Sequence, residues 1–556
     1  MRQLLALSLA VVILLAPLSA ATPVRARKAM VVSREIHATD AGVAILQTGG
    51  NAVDAAVAVG LALAVTHPSA GNIGGGGFML VRFADGRTTF IDFRERAPEK
   101  SSRDMYLDND GKPTRDSLLG WRAAGIPGTV RGFELAHKKY GKAKWADLVA
   151  PSVKLAKLGF PVGYGLANTL KSAKNLAQFA DSRRIFQRDG KFYEPGERLT
   201  QPELGAVLER IQMVGPKDFY EGETARKMVA AMEKVGGLFT LNDLKNYVAA
   251  ERAPLSGTYR GYEIITAPPP SSGGIGILQM LGVLEKTDYA GYGAGSAQAI
   301  HFTAEAMRRY YADRSEYLGD PDFFKVPTKK LLDPRYLSSL RDSIDPGAAT
   351  NSDKIKPGIL APDESLETTH YSIVDAEGNA VSVTYTLNGG YGSGATVPGL
   401  GILLNNEMDD FSVKPGAPNM YGAIGGAANA IQPGKRPLSS MSPSIVVKDG
   451  KLALVVGTPG GTRILTNVMQ VIQNVIDFKM PIQDAVNFPR FHHQWLPDKL
   501  YLETDFSPDT RRLLEQKGHT VETVARMCEI AAIQVEASGW LAGAADPRVE
   551  GKAAGY

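Results

Sequence analysis

Hydrophobic and polar positions follow two rhythms along this chain. Between Ala52 and Val65 only Asp54 and Gly60 interrupt an apolar run, which predicts a helix buried on every side. Ala41 to Gln47 reads as a helical stretch closing on Gly49-Gly50, and Arg463 to Asp477 as another helix. A period of two appears in pairs. Met79 to Phe83 and Thr88 to Phe93 flank the turn Asp85-Gly86, and Thr368 to Val374 and Ala380 to Leu387 flank Glu377-Gly378-Asn379. Ser442 to Val447 and Leu452 to Val456 flank Asp449-Gly450. Residues 100–260 mix charged helical stretches with loops. Pro268 to Gly274 is a loop that opens a helix near Ile275, and residues 320–366, with six prolines, read as a long exposed connector. Strand pairs flanked by helices predict an α/β or α+β layered sandwich.

Composition narrows the function classes without choosing one. The 556 residues are 44% hydrophobic and 22% charged, with a formal charge of +4, which excludes a disordered tail and a polybasic nucleic-acid binder. A single cysteine, Cys528, excludes an intrachain disulfide and a multi-cysteine zinc site. The histidines offer no His-x-x-x-His pair, so no metal is expected. The start of the chain adds a compartment. Arg2, an apolar run from Leu4 to Leu15 broken only by Ser8, and the small residues Ser19-Ala20-Ala21 have the layout of a signal peptide. Residues 1–21 are therefore expected to be removed, giving an exported protein, periplasmic or secreted, with no membrane anchor left.

The Gly74 to Gly77 run lacks a Gly-Lys-Ser/Thr ending and precedes a strand, which leaves close backbone packing or an oxyanion contact as its role. No Gly-x-Ser-x-Gly elbow is present. The informative junction is Glu364 to Ser372, where the polar connector runs into a strand opening on Thr368. A threonine hydroxyl is a poor nucleophile without an adjacent base, and a free α-amine on the same residue, with a pKa near 8, is one. Making that amine requires cutting the Glu367–Thr368 bond, which the Thr368 hydroxyl can do by attacking the Glu367 carbonyl. Alone, a Thr-Thr pair opening a strand reports only β-propensity.

Its company changes that. Gly50-Asn51-Ala52-Val53-Asp54-Ala55-Ala56, Asp92-Phe93-Arg94-Glu95, Pro268 to Gly274 and Tyr311-Ala312-Asp313-Arg314 recur in order. Thr368 to Ser372, Asn405 to Phe411, Arg436 to Pro443 and Gly457 to Gly461 complete the series. With these blocks the chain resembles the gamma-glutamyltransferases, glutathione hydrolases of the N-terminal-nucleophile group, over about residues 28–525. The resemblance implies an α+β four-layer αββα sandwich assembled from a large subunit, 22–367, and a small subunit, 368–556, cut from one precursor. It implies that Thr368 is the nucleophile, that Thr386 holds it, and that Gly460 and Gly461 supply oxyanion N–H groups. Arg94, Ser439 and Ser440 would take the substrate α-carboxylate, and Asp410, Glu407 and Asn388 its ammonium. Residues 412–435 resemble an active-site lid in which Tyr421 reaches Asn388.

The implied activity is cleavage of the γ-glutamyl amide of glutathione and related compounds through a γ-glutamyl–Thr368 ester, with the group passed to water or to amino-acid and peptide acceptors. No cofactor, metal or nucleic acid enters. Two rivals share the scaffold: an acylase acting on β-lactam nuclei, and an uncut exported binding protein without activity. Residues 526–534 depart from the family pattern, with Cys528 and Glu529 where a glycine- or serine-containing turn is usual. Cys528 is expected to be a buried thiol.

Overall fold

The structure is a computed structural model that describes residues 22–355, 368–414 and 426–556. The proposed signal peptide, Glu367 and Tyr421 lie outside the described residues. Fourteen strands build two seven-stranded sheets. In chain order they are β1 (Val24–Ala26), β2 (Met30–Ser33), β3 (Gly76–Arg82), β4 (Thr88–Asp92), β5 (Ala250–Arg252), β6 (Leu255–Tyr259) and β7 (Tyr262–Thr266). They continue as β8 (Thr369–Val374), β9 (Ala380–Thr386), β10 (Ser444–Lys448), β11 (Lys451–Gly457), β12 (Ala531–Val535), β13 (Leu541–Ala545) and β14 (Lys552–Gly555). One sheet runs β14-β2-β8-β9-β3-β4-β5, the other β1-β13-β12-β11-β10-β7-β6, and all their pairings are antiparallel.

Helices cover the outer faces. On the first sheet lie α1 (Ile36–Gln47), α2 (Ala52–Thr66) and helix Thr129–Tyr140, with helix Trp145–Leu158 packed on α2. Every residue of α2 is buried, as its unbroken apolar run predicts, and Asn51 and Asp54 close its N-terminus in a reciprocal capping box. Asp54 does further work there, accepting from the backbone N–H groups of Lys142 and Ala143. On the second sheet lie α3 (Gly273–Leu284), α4 (Ala297–Tyr317) and α5 (Arg463–Ile476). Alternation along β8 and β9 sorts the layers: Tyr371, Ile373, Val381, Val383 and Tyr385 join the core beneath α1 and α2, while the intervening residues face the second sheet. The expected αββα sandwich is present.

The connector differs from its reading. Within it, residues 328–331 and 334–342 form helices that the reading as a plain connector did not include. Pro334, taken as a breaker, stands at the first turn of its helix, where its missing N–H costs nothing, and Asp333 caps that end by accepting from Arg335 N–H at 2.8 Å. Leu337 packs so closely on α3 that a Cβ on Gly282 would lie 2.6 Å from it. The chain also brings His301, Glu305 and His519 together, a group no sequence spacing reveals. Glu305 is paired with Arg308 and Arg309, and His301 Nδ1 and His519 Nε2 share a hydrogen bond of 2.8 Å.

Candidate active site

Thr368 immediately precedes β8, in the middle of the first sheet. Register pairs His370 with Thr384 and Ser372 with Ser382, so Thr368 and Thr386 stand opposite each other one step outward on the same face. Their hydroxyls are 3.3 Å apart and both residues are buried. Thr386 Oγ accepts from Asn388 N–H at 2.9 Å, which orients it. Asn388 takes a positive φ of 74°, ending the strand in a turn that asparagine tolerates. Its side-chain amide donates to the Asn406 carbonyl at 2.9 Å, and Asn406 Oδ1 accepts from Gly389 N–H at 2.8 Å.

Below the threonines the same face carries a directed chain of hydrogen bonds. Ser372 Oγ donates to the Ala531 carbonyl at 3.1 Å, so it accepts from His370 Nε2–H at 3.1 Å, and His370 Nδ1 then accepts from Thr384 Oγ at 2.8 Å. Burial holds the His370 imidazole down to about 3, so it is neutral in this chain. Its ring lies against Gly457, where a Cβ would sit 2.2 Å from Cε1. Gly457 pairs with Ala531 across β11 and β12 and opens the loop carrying Gly460 and Gly461. The nucleophile strand and the glycine loop are thus tied through one imidazole.

Gly460 and Gly461 have φ of 134° and 57°, and a Cβ at Gly460 would lie 2.3 Å from Cys528 Sγ. They immediately precede the N-terminal end of α5, neither N–H has an acceptor among the described residues, and Gly461 lines the pocket while Gly460 stands behind it against Cys528. Cys528 is buried as expected, and its thiol is pushed up to about 12 by burial, which makes it packing and not a nucleophile.

Arg94 forms the opposite wall. It is 1% exposed and donates to Pro437 O at 3.3 Å and Leu438 O at 3.0 Å, while its two terminal nitrogens pair with Glu407 and Asp410. The residues expected at the two ends of a zwitterion are therefore bonded to each other. Asp410 is the more accessible acid, its side chain 14% exposed. Burial raises the Glu407 carboxyl well above the usual range against the pull of Arg94, and it raises Glu95, 3.7 Å from Arg94, to about 7. Glu95 and Glu407, buried on one guanidinium, therefore titrate as a coupled pair above the usual carboxylate range. Ser439 and Ser440 line the same pocket; Ser439 N–H donates to Pro270 O at 2.9 Å, which joins the Pro268–Gly274 loop to the site.

Arg94, Thr368, Thr386, Asn388, Glu407, Asp410, Ser439, Ser440 and Gly461 share one pocket. Sequence reading gave no role to the residues that hold them. Asn405 Nδ2 donates to the Gly74 and Gly125 carbonyls at 2.8 Å each, and its Oδ1 accepts from Glu407 N–H at 3.0 Å. The Gly74–Gly77 run is close packing: Cβ atoms there would lie 2.1 to 2.5 Å from neighbouring carbonyls. Glu95 and Arg314 were read only as parts of motifs.

The gamma-glutamyltranspeptidase family model matches residues 38–556. The chain is 54% identical to a glutathione hydrolase proenzyme of Escherichia coli, over 96% of this chain and 93% of that protein. It is 50% identical to one of a Pseudomonas species, over 93% and 90%. A cephalosporin acylase structure from Bacillus halodurans superposes with a TM-score of 0.85 at 27% identity, covering 97% of each chain. A match across nearly the whole length makes this chain a member of the gamma-glutamyltranspeptidase family.

Proposed function

We propose that the protein is a self-processing γ-glutamyl hydrolase and transferase acting on glutathione and related compounds. The observation that carries this reading is the pocket itself, with a threonine immediately before β8 set between a two-glycine loop and a guanidinium flanked by carboxylates. In the proposed maturation, Thr368 Oγ attacks the Glu367 carbonyl, the peptide nitrogen leaves as the Thr368 α-amine, and water hydrolyses the ester. Chains 22–367 and 368–556 result, after loss of residues 1–21 on export.

In turnover the α-amine takes the Thr368 hydroxyl proton as Oγ attacks the γ-carbonyl. Thr386 holds that hydroxyl, and the N–H groups of Gly460 and Gly461 stabilise the oxyanion. The C–N bond breaks, the proton passes to the departing amine, and a γ-glutamyl ester remains on Thr368 for water or an acceptor amine. The substrate α-carboxylate exchanges with Asp410 and Glu407 on Arg94, aided by Ser439 and Ser440. The acids released, with Asn388, take the ammonium. This exchange favours a zwitterionic donor over the glutaryl chain of a glutaryl β-lactam, which has no ammonium for those acids to receive. Tyr421 is proposed to gate the pocket.

A denaturing gel with N-terminal sequencing tests the cut: a fragment beginning Thr-Thr-His-Tyr-Ser is expected, and none in Thr368→Ala. The same fragment from the mutant would assign the cut to another protease. Faster turnover of a glutaryl β-lactam than of a γ-glutamyl anilide would overturn the substrate assignment.

A further inference from the structure

The pocket holds a second guanidinium. Arg314 stands three residues after Tyr311 on α4, so both side chains face the same wall. The Tyr311 hydroxyl donates to the Thr462 carbonyl, next to Gly461, and Arg314 lines the pocket beside Thr368 and Gly461. Arg314 Nε donates to Ser272 Oγ at 3.0 Å and Nη2 to Ser440 Oγ at 3.2 Å. Both partners are neutral. Among the described residues no carboxylate lies within ion-pair distance of Arg314, whereas Arg94, Arg308 and Arg490 each have one. Its Nη1 has no hydrogen-bond partner there and is not sealed from solvent, so it is open to the pocket that Arg314 lines.

A guanidinium that is only 7% exposed and lacks a counter-ion is costly to keep charged unless an anion completes it. The γ-glutamyl α-carboxylate has Arg94. Glutathione carries a second carboxylate, on the glycine of its leaving peptide, about two residues or roughly 7 Å from the scissile nitrogen. We propose that Arg314 binds this carboxylate, and in the transfer reaction that of an incoming amino acid or peptide. The subsite would select leaving groups and acceptors ending in a free carboxylate. The assignment rests on the γ-glutamyl reading above and adds the part of the substrate beyond the scissile bond.

The first test needs no mutation: compare kcat/KM for glutathione and for its C-terminal glycinamide on the mature enzyme. A preference of at least tenfold for the acid is expected, and equal values would overturn the proposal. The second compares glutathione with a γ-glutamyl anilide, whose leaving group is uncharged. In Arg314→Gln the ratio of kcat/KM for glutathione to that for the anilide should fall at least tenfold, with partial recovery in Arg314→Lys. Equal losses on both substrates would instead make Arg314 a support for Ser440. Failure of the unmutated enzyme to turn over the anilide would refute the γ-glutamyl reading itself, an outcome distinct from an unchanged ratio.

Discussion

Replacing Ser372 with alanine should slow turnover far more than it weakens substrate binding. Ser372 is fully buried between the sheets, where it accepts from His370 Nε2–H and donates to the Ala531 carbonyl. Alanine leaves a buried imidazole nitrogen without a partner and removes one bond from a carbonyl. An unmet buried group of this kind costs about 1–3 kcal/mol, so the pair should lose roughly 2–4 kcal/mol. Relaxation through His370 reaches Gly457, three residues before Gly460, and the proposed oxyanion donors move relative to Thr368. Displacements of about 1 Å in such geometry cost on the order of a hundredfold. The expected result with a γ-glutamyl anilide is kcat lower by about 10- to 100-fold and KM within about threefold, since the Arg94 pocket contacts neither Ser372 nor His370. Thr384→Val should act in the same direction, and the double mutant should fall short of the summed effects because one chain of bonds is broken twice. A lowered melting temperature with unchanged kcat would refute the reasoning, because His370 would then be packing alone.

Arg94→Ala should abolish detectable binding of γ-glutamyl donors and destabilise the protein by about 3–5 kcal/mol, since Glu407 and Asp410 lose their common partner; Arg94→Lys, lacking the fork, should recover stability more than affinity, measured by thermal unfolding and KM. Acid should destabilise the fold through its buried histidines. Burial lowers His370 to about 3, His519 to about 3 and His493 to about 4, below the usual 6.5. The unfolded chain therefore binds more protons than the folded one between about pH 6.5 and pH 3–4. Stability should fall across that window as pH drops, by about 1.4 kcal/mol per pH unit for each such histidine. A melting temperature flat from pH 7 to pH 4 would contradict this.

Local signals were legible where one element decides its own structure. The all-apolar run of α2 and the alternation of β8 and β9 follow from neighbours a few residues away. The helix at 334–342 was not legible, because its polar, proline-opened sequence becomes helical against α3, some 60 residues earlier. Within the site, the family motifs marked Arg94, Thr368 and Asp410, but motifs do not disclose partners. That Arg94 pairs with Glu407, that Asn405 bonds the Gly74 carbonyl, and that Arg314 meets Ser272 and Ser440 but no acid among the described residues are facts of distance between segments far apart in sequence. The seam of His370 and Ser372 was invisible for the same reason: alternation reports that a residue faces inward, not what it meets.

The strand order bears on timing. In the first sheet β8 and β14 are hydrogen-bonded to β2 and β9 to β3, and in the second β10 is bonded to β7 and β13 to β1, so strands from either side of residues 356–367 are interleaved in both sheets. A chain severed at Thr368 before these ladders close would have to find five registers between separate molecules. Severed afterwards, it loses one covalent link and no ladder. Folding must therefore precede the proposed cut, and two halves made independently should assemble slowly and in proportion to their concentrations, while the intact precursor matures at a rate that dilution does not change.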